Sequence, residues 1–220
     1  MKPSRLEELY RRKLARAEES PKQLPLERIL NKQTTVFPET GQVDRNDIIE
    51  IGPGTGDFLF FIAEQFPQKK ILGIEIDAQR FYKIKARIIK KGLKNITLLH
   101  GDARIPFHKN ISDNTIEKCF VLFPDPWPKN RHRHLRLLQT DFIKLVCQKL
   151  GTGGEFTLGT DVRDYAFWVL DNFKQFPQMA NVFGEGQILP ELADIPHTFF
   201  QKKWNELGRN FFFLRFKKLG

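Results

Sequence analysis

Cysteine is scarce in this chain, with only Cys119 and Cys147 among 220 residues. They form no C-x-x-C pair and have no cluster of ligands nearby. That argues against a disulfide framework and a cysteine metal site, so both thiols are expected to be reduced and buried, with no metal bound. Long apolar runs are missing too. None approaches the ~18 residues of a membrane helix, and the opening Met-Lys-Pro-Ser-Arg-Leu-Glu-Glu lacks the apolar core of a signal peptide. A cytoplasmic location away from membranes is therefore expected. Acidic residues are in deficit, 26 against 36 Lys and Arg, for a net charge of +10. That balance favours a polyanionic partner, nucleic acid first. The length suits one α/β domain with a short extension.

What is present is organised around residues 47–57, Asp-Ile-Ile-Glu-Ile-Gly-Pro-Gly-Thr-Gly-Asp. Ile48, Ile49 and Ile51 predict a buried strand, and Gly52, Gly54 and Gly56 then open a helical pattern over 57–66. Glycine suits such a turn because it accepts positive φ and lets a ligand approach the backbone where a Cβ would collide. A dinucleotide-binding loop spaces its glycines G-x-G-x-x-G; these read G-x-G-x-G, which disfavours a nicotinamide cofactor. Glu50, just before the turn, brings a carboxylate within reach of a polar ligand group.

Lys70 to Ile76 predicts a second strand ending near Glu75, about 20 residues past the turn, where an acid can accept hydrogen bonds from ribose hydroxyls. Asp77 is the alternative inward-pointing acid. A helix over 78–92 carries Arg80, Lys83, Lys85, Arg87, Lys90 and Lys91 without an acid among them. Phe81, Ile84, Ile88 and Ile89 keep helical spacing, so those charges form an outer, solvated face. A third strand, Ile96 to Leu99, leads to Asp102. A fourth, Ile116 to Phe123, runs into Pro124-Asp-Pro-Trp-Pro-Lys-Asn-Arg-His-Arg-His134. Three prolines stiffen this loop, which gathers Asp125, Trp127, Lys129, Arg131, Arg133 and, just beyond it, Arg136. A rigid turn requires none of those side chains, so a binding or catalytic role is expected. A helix over 135–149 and a fifth strand, Gly153 to Thr160, then reach Asp161, either a site residue or the N-cap of a helix through Trp168 and Phe173. Beyond 174 the pattern weakens, as in a variable lid or insertion, before a last strand from Phe211 to Phe216.

The G-x-G-x-G turn with an acid two positions ahead resembles motif I of the Rossmann-like S-adenosylmethionine methyltransferases. Phe-Pro-Asp-Pro-Trp-Pro-Lys followed by Arg-His resembles, more specifically, the signature loop of the bacterial tRNA (guanine-N7-)-methyltransferases, which also carry the Gly-Ile-Glu, Asp-Ala and Thr-Asp elements. The likeness covers roughly residues 48–165. It implies a class I methyltransferase fold: an α/β, mostly parallel, doubly wound sheet of about seven strands with the last one antiparallel, spanning 47–220. A basic extension over 1–46 would precede it, a polar helix over 1–22 carrying Arg5, Arg11, Arg12, Lys13 and Arg16 and then an irregular lead-in over 23–46. Those side chains either neutralise phosphates or sit on a solvated, frayed terminus.

The resemblance further implies S-adenosylmethionine held by Glu50, Gly52, Gly54, Gly56, Glu75, Asp102 and Asp125, with Asp125 as the catalytic residue. Lys129 and Asp161 would meet the substrate, and Arg131, Arg133, Arg136 and the N-terminal arginines would hold the RNA backbone. Thr198 and Gln201 stand where the family has Thr-x-x-Glu. Gln201 keeps an acceptor but loses the charge. The implied reaction is in-line methyl transfer to N7 of the guanine at tRNA position 46. N7 bears a lone pair and no proton, so Asp125 would orient and stabilise rather than deprotonate. Trp127 would be free to stack on the base. Two rivals are an amino-group methyltransferase, whose Asp-Pro-Pro-aromatic loop differs in order from Asp-Pro-Trp-Pro, and a nonenzymatic tRNA-binding protein on the same scaffold.

Overall fold

The structure is a computed structural model that describes residues 47–196, 201, 205, 206 and 208–220. The proposed N-terminal extension, Thr198, Lys202 and Lys203 fall outside the described residues. β1 (Ile48–Ile51) is buried along its whole length and is followed by α1 (Asp57–Gln65), β2 (Ile71–Glu75), α2 (Ala78–Lys91), β3 (Ile96–His100), α3 (Arg104–Lys109) and β4 (Ile116–Leu122), with β2 and β4 as its neighbours in the sheet. A 3₁₀ turn (Asn130–Leu135), α4 (Thr140–Lys149), β5 (Leu150–Thr160), α5 (Arg163–Phe173), β6 (Met179–Asn181) and β7 (Phe212–Lys218) complete the described order.

The seven strands form one sheet in the order β3-β2-β1-β4-β5-β7-β6. Pairs from β3 through β5 are parallel, and β7 runs antiparallel to both β5 and β6. Chain order reverses at β1, so the gap between the ends of β1 and β4 is the switch point where ligands settle in doubly wound sheets. Alternation along β1 sends Ile49 and Ile51 into a core shared with Phe107, Phe142, Val146 and Val169 from α3, α4 and α5. Ile48 faces the opposite core, with Phe58, Leu59 and Ile62 of α1 and Ile84 of α2. Glu50 shares the Ile48 face, at the strand end nearest the glycine turn.

The sheet agrees with the expected fold, and four local features differ. The helix expected over 135–149 is split, because Arg136 is extended (φ −59°, ψ 138°) between the 3₁₀ turn and α4. That break lets the Arg136 side chain turn inward. α3 was hidden by Pro106, which a helix tolerates in its first turn, where its missing N–H would have no partner anyway. β6 is only three residues long, too short for a periodic signal. The described part of 174–197 is no detached lid: Phe176, Met179, Leu192 and Ile195 are buried, and Leu189 bridges to Phe213.

Candidate active site

Four acids meet at the C-terminal ends of the parallel strands. Glu50, Glu75, Asp102 and Asp125 line one cavity of about 310 Å³, together with Gly52 and Gly54. The turn that opens it is held by Gly52 N–H donating to Ile74 O at 2.8 Å and Gly56 N–H to Pro53 O at 2.8 Å. All three glycines have positive φ, from +61° to +83°. Gly56, expected among the cofactor-binding glycines, is not part of the cavity wall. It begins α1, and a Cβ there would lie 2.9 Å from the Phe60 ring, so its bareness serves helix packing.

Glu50 is buried, and its Oε2 has no hydrogen-bond partner. Burial, reinforced by the charges of Glu75 and Asp57, pushes its carboxyl from 4.5 up to about 8. Glu75 is also raised, chiefly by burial. Two backbone bonds oppose that shift, from Asp77 N to Oε1 and from Gly54 N to Oε2, each 2.9 Å. The choice between neighbouring acids is settled by local geometry. Asp77 accepts from Arg80 N at 2.9 Å as the N-cap of α2, leaving Glu75 to face the cavity. Asp102 lines the wall in an ion pair with the buried Arg104, whose Nε donates to Oδ1 at 2.9 Å. Asp125 is exposed at the rim, and among the described residues it has no hydrogen-bonding partner.

A family model described as "Putative methyltransferase" matches residues 44–214. The chain is 33% identical over 171 residues, 78% of it and 75% of the relative, to a tRNA (guanine-N(7)-)-methyltransferase of Leifsonia xyli. A protein of the same name from Chlorobium phaeobacteroides is 35% identical over 165 residues, 75% of this chain and 78% of the relative. The chain belongs to the tRNA (guanine-N(7)-)-methyltransferase family. The solved SAM-dependent methyltransferase of Aquifex aeolicus shares its fold at a TM-score of 0.54 and 14% identity, covering 94% of this chain and 98% of that one.

Within this methyltransferase frame the proline-rich loop departs from several expectations. Trp127 lines the cavity but is buried against Leu135, with its ring edge-on to His132, so little of its face is exposed for stacking. Arg136 is fully buried and unavailable to a phosphate. Its Nε donates to Pro126 O at 2.9 Å and its Nη2 to Asp164 at 2.7 Å. Arg133 is half-buried and pairs with the other oxygen of Asp164 at 2.8 Å. Lys129 and Arg131 are exposed and off the cavity wall.

Asp161 does not cap α5. Val162 holds the N-cap position, and Asp161 Oδ2 is a buried oxygen without a partner at the end of β5. Gln201 is buried away from the cavity wall. Sequence reasoning passed over Arg104 and Asp164, and it assigned Arg80, which lines the cavity, to a solvated outer face. Arg104 had a visible signal, a cation two places after Asp102; the pairing of Asp164 with a loop 28 residues earlier had none.

Proposed function

We propose that the chain transfers the methyl group of S-adenosylmethionine to N7 of guanine at position 46 in the variable loop of tRNA. The carrying observation is the convergence of Glu50, Glu75, Asp102 and Asp125 on one cavity at the sheet's switch point. The cavity suits that cofactor: the orphaned Oε2 of Glu50 lacks a cationic or N–H partner, and no heavy atom lies within 4 Å of a Cβ built on Gly52, which leaves the backbone open to a ligand. Glu50 and Gly52 would hold the charged amino-acid end, and Glu75 the ribose hydroxyls. The cofactor supplies an electrophilic methyl on a sulfonium.

Asp125, free at the rim, orients the guanine and stabilises the positive charge that develops on it, and no base is required of it. Asp161, with its partnerless buried oxygen, reads the guanine N2 amino group. Because N7 lies in the deep, narrow groove of A-form RNA, the base must come from a loop or be extruded. Lys129, Arg131 and the basic residues before 47 neutralise phosphates. A tRNA substrate fits a cytoplasmic protein, and no described helix is long and apolar enough to cross a membrane.

The test is incubation with unmodified tRNA and labelled S-adenosylmethionine, followed by mapping of the label. Borohydride and aniline scission at a single guanine of the variable loop is expected. Label on an exocyclic amino group, or none at all, would reject the reading.

A further inference from the structure

Asp125 has no partner to aim its carboxylate among the described residues, so its direction depends on the backbone that carries it. That backbone is strained on both sides: Phe123 (φ 53°) and Trp127 (φ 42°) are non-glycine residues in the left-handed region. Such conformations persist only where their surroundings over-determine them. Phe123 is held by its N–H to Gly159 O at 2.7 Å and by edge-on contacts with Phe211 and Phe213. On the Trp127 side the holding group is Arg136. Its Nε grips the carbonyl of Pro126, the residue after Asp125, and its guanidinium lies 4.8 Å over the Tyr165 ring and 5.3 Å from that of Trp168. Its Nη2 reaches Asp164 Oδ2 while Arg133 takes Oδ1, so one carboxylate on α5 receives two arginines of the loop.

We infer that Arg136 and Asp164 form a latch that sets the Pro124–Trp127 turn and thereby aims Asp125 at the reacting base. Arg136 is a positioning residue and touches no substrate. A fully buried cation carries a large desolvation cost, and this one leaves its Nη1 unpaired. Hydrocarbon could fill the same space. What hydrocarbon could not do is hold a carbonyl in the catalytic turn and an acid on the neighbouring helix at fixed angles, which the planar guanidinium does.

The inference rests on the methyltransferase reading, and its test separates the two. Arg136→Lys keeps the charge but not the fork. Asp164→Asn keeps size and one acceptor at a half-exposed site, so it should fold even if the first variant does not. The readouts are kcat and KM for tRNA methylation, affinity for S-adenosylhomocysteine, and tryptic cleavage after Lys129 and Arg131. Expected are a fall in kcat of about 10–100-fold for Arg136→Lys and several-fold for Asp164→Asn. Product affinity should stay within about twofold, and loop cleavage should quicken by about tenfold, since both scissile bonds lie between the latched turn and Arg136. Unchanged kcat in both variants, or product affinity falling in step with kcat, overturns the latch. Should the wild-type protein methylate no guanine, the functional reading fails by itself. The cleavage assay then decides, because loop protection unaltered in Asp164→Asn overturns the latch without reference to activity.

Discussion

Glu50 and Asp125 border the same cavity but answer to pH and mutation differently, because one is enclosed and the other is wet. In the folded state Glu50 keeps its proton up to about 8, whereas the unfolded chain loses it near 4.5. The stability conferred by that proton is therefore complete below 4.5 and is lost as pH rises through about 8. The cofactor-free protein should melt at a lower temperature at pH 9 than at pH 6. Glu50→Gln, which cannot titrate, should flatten that decline, and an equal decline in the variant would contradict the assignment.

A cationic ligand beside Glu50 favours the carboxylate, so binding S-adenosylmethionine at pH 7 should release a proton. Calorimetry in two buffers of different ionisation heat would detect it. Glu50→Gln should abolish the release and weaken binding about 10–100-fold, the worth of one charge-assisted bond. Asp125→Ala should leave melting unchanged, because its exposed carboxylate has no hydrogen-bonding partner among the described residues, and lower transfer by about 10²-fold or more. Single-turnover rates at saturating cofactor would measure it.

At the scale of an element, the strand–turn–helix unit divides its glycines between cavity wall and helix packing. A Cβ on Gly56 would meet the Phe60 ring at 2.9 Å and Ile84 Cγ1 at 3.3 Å, with φ at +83°. Gly56→Ala should therefore destabilise the fold by about 1–3 kcal/mol, read from denaturant unfolding. Gly52 has the same backbone need (φ +73°) and nothing within 4 Å. Gly52→Ala should cost about 1 kcal/mol in stability yet weaken cofactor binding more than Gly56→Ala does, since its new methyl group sits on the cavity wall. Equal effects of both substitutions on binding would refute that division. The proline-rich loop is governed the same way, by what it rests on: α5 supplies Asp164, Tyr165 and Trp168 to the Arg136 guanidinium.

For the whole molecule, the +10 charge is the dominant long-range property. Binding of tRNA should weaken steeply with salt. If about four phosphates are neutralised, affinity should fall by about 50–150-fold between 50 and 200 mM salt. Removal of residues 1–22 should lower the slope of that plot while leaving cofactor binding intact. A salt-independent affinity would mean that the cations do not meet phosphate.

The doubly wound order and the placing of Glu50, Glu75, Asp102 and Asp125 on one rim were determined by the sequence alone. Each acid ends or follows a β-branched run, and parallel right-handed crossovers put all such ends on the same side. The environment of each acid was decided only in three dimensions. Asp77 became a cap and Glu75 a wall because one hydrogen bond to Arg80 N formed, and Asp161 lost its capping role to backbone geometry at Val162. Arg136 reads as a phosphate ligand in a string of basic residues and stands instead beneath the Pro124–Trp127 turn. Local pattern carries periodicity and chemistry, but burial and pairing depend on segments distant in the chain, and here those were brought together by packing of the loop against α5.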